Sequence, residues 1–155
     1  MVIKDTGVSI DTNSGSLSAS ETIATTPKKV WAMLVAHHQI SEWWGNYVSI
    51  EPHVGGNFEE LWTDKNGNLT RAVGKVTEIT SPYILKFTWK ESKWDYETKV
   101  HIRLREMGKN TLVEVTHNGW PEEMTDQMRS DVSRLYYGWR SFLRKLKEHA
   151  SDNRP

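Results

Sequence analysis

The chain has 155 residues, with twenty basic and twenty acidic side chains and a formal net charge of +0, so no global field draws it towards nucleic acid, an anionic membrane or an acidic substrate. It contains no cysteine, which excludes disulfides, thiolate metal sites, iron–sulfur clusters and cysteine nucleophiles, and its length suits one domain that builds a core without them. A mean hydropathy of −0.64 beside eight tryptophans concentrates apolar area in a few large rings, which fill a core or line an apolar pocket.

Residues 1–15 are rich in Ser, Thr, Asp, Asn and Gly and are expected as a flexible arm or a weak extra strand. No apolar run there is long enough for a signal peptide or a membrane span, so the expected setting is the cytoplasm with no membrane insertion. From Ser16 to Thr25, Leu17, Ala19, Glu21 and Ile23 alternate with Ser and Thr, which predicts a first strand at a sheet edge or half buried. Thr26-Pro27 reads as an N-cap followed by proline at the first helical position, with Val30, Trp31, Leu34 and Val35 at helical spacing. A second short helix is expected from His37 to Trp44, ending at Gly45.

Beyond Gly45 short apolar runs are separated by turn signals such as Gly55-Gly56, Asn66-Gly67, Ser81-Pro82 and Gly108, a spacing that predicts an antiparallel meander. The expected strands are 47–51, 57–63, 70–80, 84–91, 95–105 and 111–117. Leu85, Phe87 and Trp89 share one face of their strand, and Thr98, Val100, Ile102 and Leu104 share one face of theirs. From Trp120 to His149 apolar residues recur at helical spacing through Met124, Met128, Val132, Leu135, Trp139, Phe142, Leu143 and Leu146, predicting one long amphipathic helix with Pro121 near its start. Such a helix needs a curved sheet to receive its apolar face, and Gly138 on it marks a close approach by the sheet or a ligand.

This order resembles the helix-grip fold of the START-like (SRPBCC) superfamily. Trp43-Trp44, Val54-Gly55-Gly56-Asn57-Phe58, Gly74 to Ile79 followed by Pro82, Leu85 to Trp89, His117-Asn118-Gly119-Trp120 and Gly138-Trp139 are similar to homologues of the activator of heat-shock protein 90 ATPase. The resemblance spans about residues 16–150, leaving 1–15 as an arm and 151–155 as a tail. It implies an α+β fold: a curved antiparallel sheet of about seven strands, two short helices and a long C-terminal helix. It also implies binding of a lipid, hormone or polycyclic compound.

Candidate site residues are those whose strand or helix parity turns them towards the dry face. Trp44, Phe58, Trp62, Phe87, Trp89, Tyr96, Trp120 and Trp139 form the expected apolar wall. Glu60 shares a face with Phe58 and Trp62, and His117 shares one with Val113 and Val115. Together they bind a polar head group or act as an acid/base pair, unless a bulge turns Glu60 outward and backbone or water satisfies His117. His37-His38 lacks the i, i+4 partner of a helical metal site, and no GxSxG, GxxxxGK[ST] or GxGxxG stretch occurs. No cofactor or metal is expected. The leading reading is a noncatalytic domain binding a hydrophobic or aromatic small molecule.

The resemblance implies two further readings. One is a chaperone-interacting module with a part in the stress response, against which stands the lack of room before Ser16 for the extra N-terminal domain of eukaryotic activators. The other is a cyclase- or aromatase-like enzyme using Glu60, His117 and Tyr96. A monomer and a homodimer joined at Ser16–Thr25 are both compatible with the sequence.

Overall fold

In the computed structural model, which describes residues 2–5 and 8–152, alternating strands and turn glycines produce one nine-stranded sheet in the order β1-β2-β3-β9-β8-β7-β6-β5-β4. The elements are β1 (Val2–Asp5), β2 (Val8–Asp11), β3 (Ser16–Ile23), α1 (Pro27–Val35), α2 (His37–Trp43), β4 (Val48–Ile50), β5 (Asn57–Thr63), β6 (Leu69–Thr80), β7 (Ile84–Glu91), β8 (Thr98–Met107), β9 (Asn110–Asn118) and α3 (Asp126–Asp152). All neighbouring strands pair antiparallel. The α+β helix-grip architecture expected from the sequence is present. Among the described residues no helix is long and apolar enough to cross a membrane.

The strand number exceeds the expected seven because the described part of 1–15 is hydrogen-bonded into the sheet as β1 and β2. Ile10 is buried, and β2 covers β3, so β3 lies inside the sheet rather than at its edge. The short apolar pairs of this arm are too weak a period-two signal to stand out among Ser, Thr and Asp. Residues 153–155 of the expected tail lie outside the described residues, while Ser151 and Asp152 continue α3.

Local chemistry fixes the joints. The Thr26 side chain accepts from Lys29 N, with proline in the first turn of α1, satisfying one of the donors a helix N-terminus leaves unpaired. Between β4 and β5 the chain turns so tightly that a Cβ on Gly56 would stand 2.1 Å from Glu51 O, which only glycine tolerates. The third helix starts later than its periodicity suggests. Thr125 Oγ1 accepts from Met128 N at 3.1 Å, making Thr125 the cap, and 120–125 is irregular. Pro121 therefore precedes the helix instead of opening it.

The core lies between the concave sheet face and the three helices. Leu85, Phe87 and Trp89 of β7, Val100, Ile102 and Leu104 of β8, and Val113 and Val115 of β9 are almost wholly buried, each large apolar side chain contributing about 1.5–3 kcal/mol of transfer free energy. Over them lie Val132, Leu135, Trp139, Phe142, Leu143 and Leu146 of α3. Trp43 is buried and its Nε1 donates to Met33 O at 2.9 Å, fastening α2 to α1, and its ring meets Phe142 at 5.1 Å. The helix runs nearest β3, to which Lys147 reaches through Glu21 at 3.1 Å. Its opposite flank is linked to β7 and β5 by Arg134, which reaches Glu91 and the Trp62 ring.

Candidate functional site

Parity places Phe58, Glu60 and Trp62 of β5 on the concave face. Around them the aromatic candidates form one continuous chain of ring contacts. Trp44 meets Phe58 at 6.0 Å, Phe58 stacks on Phe87 at 4.4 Å and meets Trp89 at 5.5 Å, and Trp89 meets Trp62 at 6.3 Å and Trp139 at 5.8 Å. The chain continues through His117 to Trp120 at 4.7 Å, on to Trp94 at 5.9 Å, and ends with Trp94 stacked on Tyr96 at 4.7 Å. Phe58, Phe87, Trp89, His117, Trp120 and Trp139 are buried and pack against one another. Trp44, Glu60, Trp62 and Tyr96 are half-buried and reachable from solvent.

His117 is fully enclosed, and its hydrogen bonds assign its tautomer. Thr98 Oγ1 donates to Trp89 O at 3.1 Å, so its oxygen accepts from His117 Nε2–H at 2.6 Å. His117 Nδ1 accepts from Trp139 Nε1 at 3.0 Å. Burial, with Arg134 acting in the same direction, lowers its pKa to about 3, so the ring is neutral and has no nitrogen left for a ligand or a proton relay. Among the described interactions none joins it to Glu60, so the two do not form the acid/base pair the sequence suggests. Burial likewise pushes the Tyr96 phenol up to about 12, with Asp131 adding to the rise, and it stays protonated at neutral pH.

Glu60 differs from both. It points inward without a bulge, Val48 and Ala72 being its neighbours on β4 and β6. Burial raises its pKa to about 7, opposed by a hydrogen bond from the Trp44 indole, reinforced by Glu91, and opposed again by Lys145 and Arg134. Its carboxyl therefore changes charge near neutrality. Opposite lies the β5 flank of α3, where Arg134, Gly138 and Lys145 fall on one side of the helix at i, i+4 and i+11. A Cβ on Gly138 would meet no atom of another element within 4 Å. Of the two expectations for this glycine, the sheet or a ligand, the sheet makes no close approach here.

A charged clamp joins β7, α3 and the Trp62 ring. Arg134 Nη2 donates to Glu91 Oε1 at 2.6 Å and to Asp131 Oδ1 at 3.3 Å, and the guanidinium stands 5.8 Å from the centroid of the Trp62 ring. Glu91 also accepts from Trp89 Nε1 at 3.0 Å, and Asp131 from Trp94 Nε1 at 3.3 Å. Sequence reasoning missed Glu91, Asp131, Thr98 and Arg134. Glu91 was within reach, since it continues the inward parity of Leu85, Phe87 and Trp89. A separate open groove of about 620 Å³ is lined mainly by charged and polar groups such as Glu51, Glu59, Arg71, Lys75 and Lys90, with Phe58 the one member of the aromatic chain in its lining. Among the described residues no group of three or more His, Asp or Glu is arranged to hold a metal ion.

Comparison with known proteins places this geometry. The model of the family described as activator of Hsp90 ATPase homolog 1-like protein matches residues 24–151. A comparison with curated proteins finds no match. Among solved structures, the crystal structure of MLL2253 from Mesorhizobium loti is 20% identical, with 90% of this chain and 99% of that one covered at a TM-score of 0.73. Ms6760 from Mycobacterium smegmatis is 13% identical, with 96% of each chain covered at a TM-score of 0.74. The solution structure of the Aha1 dimer from Colwellia psychrerythraea is 23% identical, covering 86% of this chain and 93% of that one at a TM-score of 0.68. At such identities the likeness establishes the fold alone.

Proposed function

The chain belongs to the activator of Hsp90 ATPase homolog 1-like family of the START-like superfamily, and from that premise we propose that it is a noncatalytic binding domain for a hydrophobic or aromatic small molecule. The ligand enters the cleft between α3 and β5 rather than a sealed central hollow, because the centre is occupied by the protein's own rings. The observation that carries this reading is the pairing of half-buried Trp44, Glu60 and Trp62 with the open space over Gly138. Flat apolar walls with a few placed polar groups are the usual make-up of small-molecule sites. A noncatalytic role is favoured because His117 and Tyr96, two of the three groups an enzyme here would use, are held in one protonation state.

The test is a tryptophan-fluorescence and thermal-shift screen of aromatic compounds against the native protein, Trp62→Ala and Gly138→Phe. Saturable binding is expected in the native protein, weakened about tenfold by loss of the indole wall and abolished by the side chain that fills the open space. A native protein with no saturable response across a broad library overturns the reading. The family match favours contact with a chaperone as a second reading. Its test is pull-down with a cognate Hsp90 and an ATPase assay, and unchanged turnover rejects it.

A further inference from the structure

The chemistry around Glu60 narrows the ligand. Its carboxyl has one described hydrogen-bond donor, the Trp44 indole, whereas an ionised carboxylate offers about four acceptor positions. It is half-buried between half-buried Trp44 and Trp62 on the side of the sheet that faces Arg134 and Lys145 of α3. An unfilled acceptor in an apolar cleft favours a ligand that brings its own donor.

Charge selects a neutral ligand. On every element facing Glu60, the ionisable groups that act on it are Glu91 of β7 and Arg134 and Lys145 of α3, while its strand neighbours Val48 and Ala72 carry none. A cationic ligand would lie beside Arg134 and Lys145. An anionic one would lie beside Glu60, Glu91 and Asp131, with the Arg134 guanidinium already engaged by the last two. A hydroxyl on an aromatic ring adds no charge, donates to the carboxylate, and leaves the ring free to lie against indole.

Resting on the binding reading above, we propose that the cleft recognises a neutral hydroxyaryl compound, its ring against Trp62 and Trp44 and its hydroxyl donating to the Glu60 carboxylate. A donor bond to the ionised form lowers the Glu60 pKa from its raised value near 7. Binding at neutral pH therefore releases a proton, and affinity rises with pH through that region until the ligand's own hydroxyl ionises.

The experiment is calorimetric titration of the full chain with 2-naphthol, 2-methoxynaphthalene, 2-naphthoate and 2-naphthylmethylammonium at several pH values, in buffers of different ionisation enthalpy. The expected result is 2-naphthol bound about tenfold more tightly than its methyl ether above neutrality, the value of one good hydrogen bond to a charged group. Its binding releases protons and strengthens several-fold from pH 6 to pH 8. Glu60→Gln, with its fold checked by circular dichroism, removes the pH dependence and most of the preference for the naphthol over its ether. Trp44→Phe, which deletes the indole donor, moves the midpoint of the pH dependence upward. Equal affinity for naphthol and ether, a flat pH profile, or tighter binding of either charged analogue overturns the proposal. If the ether binds and Gly138→Phe blocks it, the binding function stands without the hydroxyaryl preference. If none of the four binds, this proposal falls, and silence in the broad library as well removes the binding function.

Discussion

At the scale of single residues, His117 and Glu60 show how one dry face holds two opposite electrostatic solutions. With its folded pKa lowered from 6.5 to about 3, His117 takes up a proton in the unfolded chain that the folded chain refuses. Its contribution is full above about pH 6.5 and is lost as pH falls towards 3. Gln at 117 keeps both bonds, the amide donating to Thr98 and its oxygen accepting from Trp139, and cannot titrate. We expect His117→Gln to fold with a loss of about 1–2 kcal/mol at neutral pH and a shallower decline in urea midpoint from pH 6.5 to 4; an unchanged decline would refute the assignment. Glu60 has the reverse sign. Its folded pKa lies near 7 against an ordinary carboxyl value of 4.5, so the unfolded chain ionises first and stability is lost as pH rises across that window. Glu60→Gln should be more stable than the native protein at pH 8, by about 1–3 kcal/mol, and equal to it near pH 4; stability curves that coincide at both pH values reject the burial argument. Parity in the sequence correctly turns both side chains inward. It cannot name partners, because Thr98 reaches His117 diagonally from the Val100↔His117 pair and Trp139 arrives from a helix twenty-two residues on.

Among the elements, α3 separates what periodicity reveals from what it hides. Its apolar stripe and the residues it buries are visible in the sequence, because they recur at the helical period. Its start is not, since Met124 sits at helical spacing though it precedes the helix, and the signal that decides the boundary is the hydroxyl of Thr125. Thr125→Ala is expected to cost about 1 kcal/mol, measured by chemical denaturation, and no change would place the cap elsewhere. Gly138 tells a similar story from the other side. A glycine inside a helix suggests crowding, yet its missing side chain faces open space. Gly138→Ala should then stabilise the protein by about 0.5–1 kcal/mol through helix propensity. Destabilisation would reveal a neighbour that the present geometry lacks. A weak extra strand was one of the two readings of residues 1–15, but the β1–β2 hairpin and its pairing with β3 were hidden, because pairing partners are long-range information that a four-residue strand does not carry.

Across the whole molecule the grip is fastened unequally. One flank of α3 lies close to β3 and is secured by packing and by Lys147 with Glu21. The other crosses a gap bridged by Arg134, which reaches Glu91 on β7, Asp131 on its own helix and the face of Trp62 on β5. The proposed binding cleft lies on the side bridged by the clamp, and the close packing against β3 lies on the other. Glu91 is buried, with a side-chain exposure of 6% against 42% for Arg134, which makes the two halves of the pair inequivalent. Removing the arginine leaves a carboxylate out of water with only Trp89 Nε1 to meet it, and breaking a buried pair in this way costs about 3–5 kcal/mol. The partial exposure of Arg134 reduces that figure to about 2–3 kcal/mol. We therefore expect Arg134→Met to lower stability by that amount in urea denaturation, and Glu91→Gln placed on top of it to restore more than half, since the neutral amide no longer carries a stranded charge. If the double variant is as unstable as the two single losses added together, the clamp is not a coupled pair, and that flank of α3 is held by aromatic packing alone.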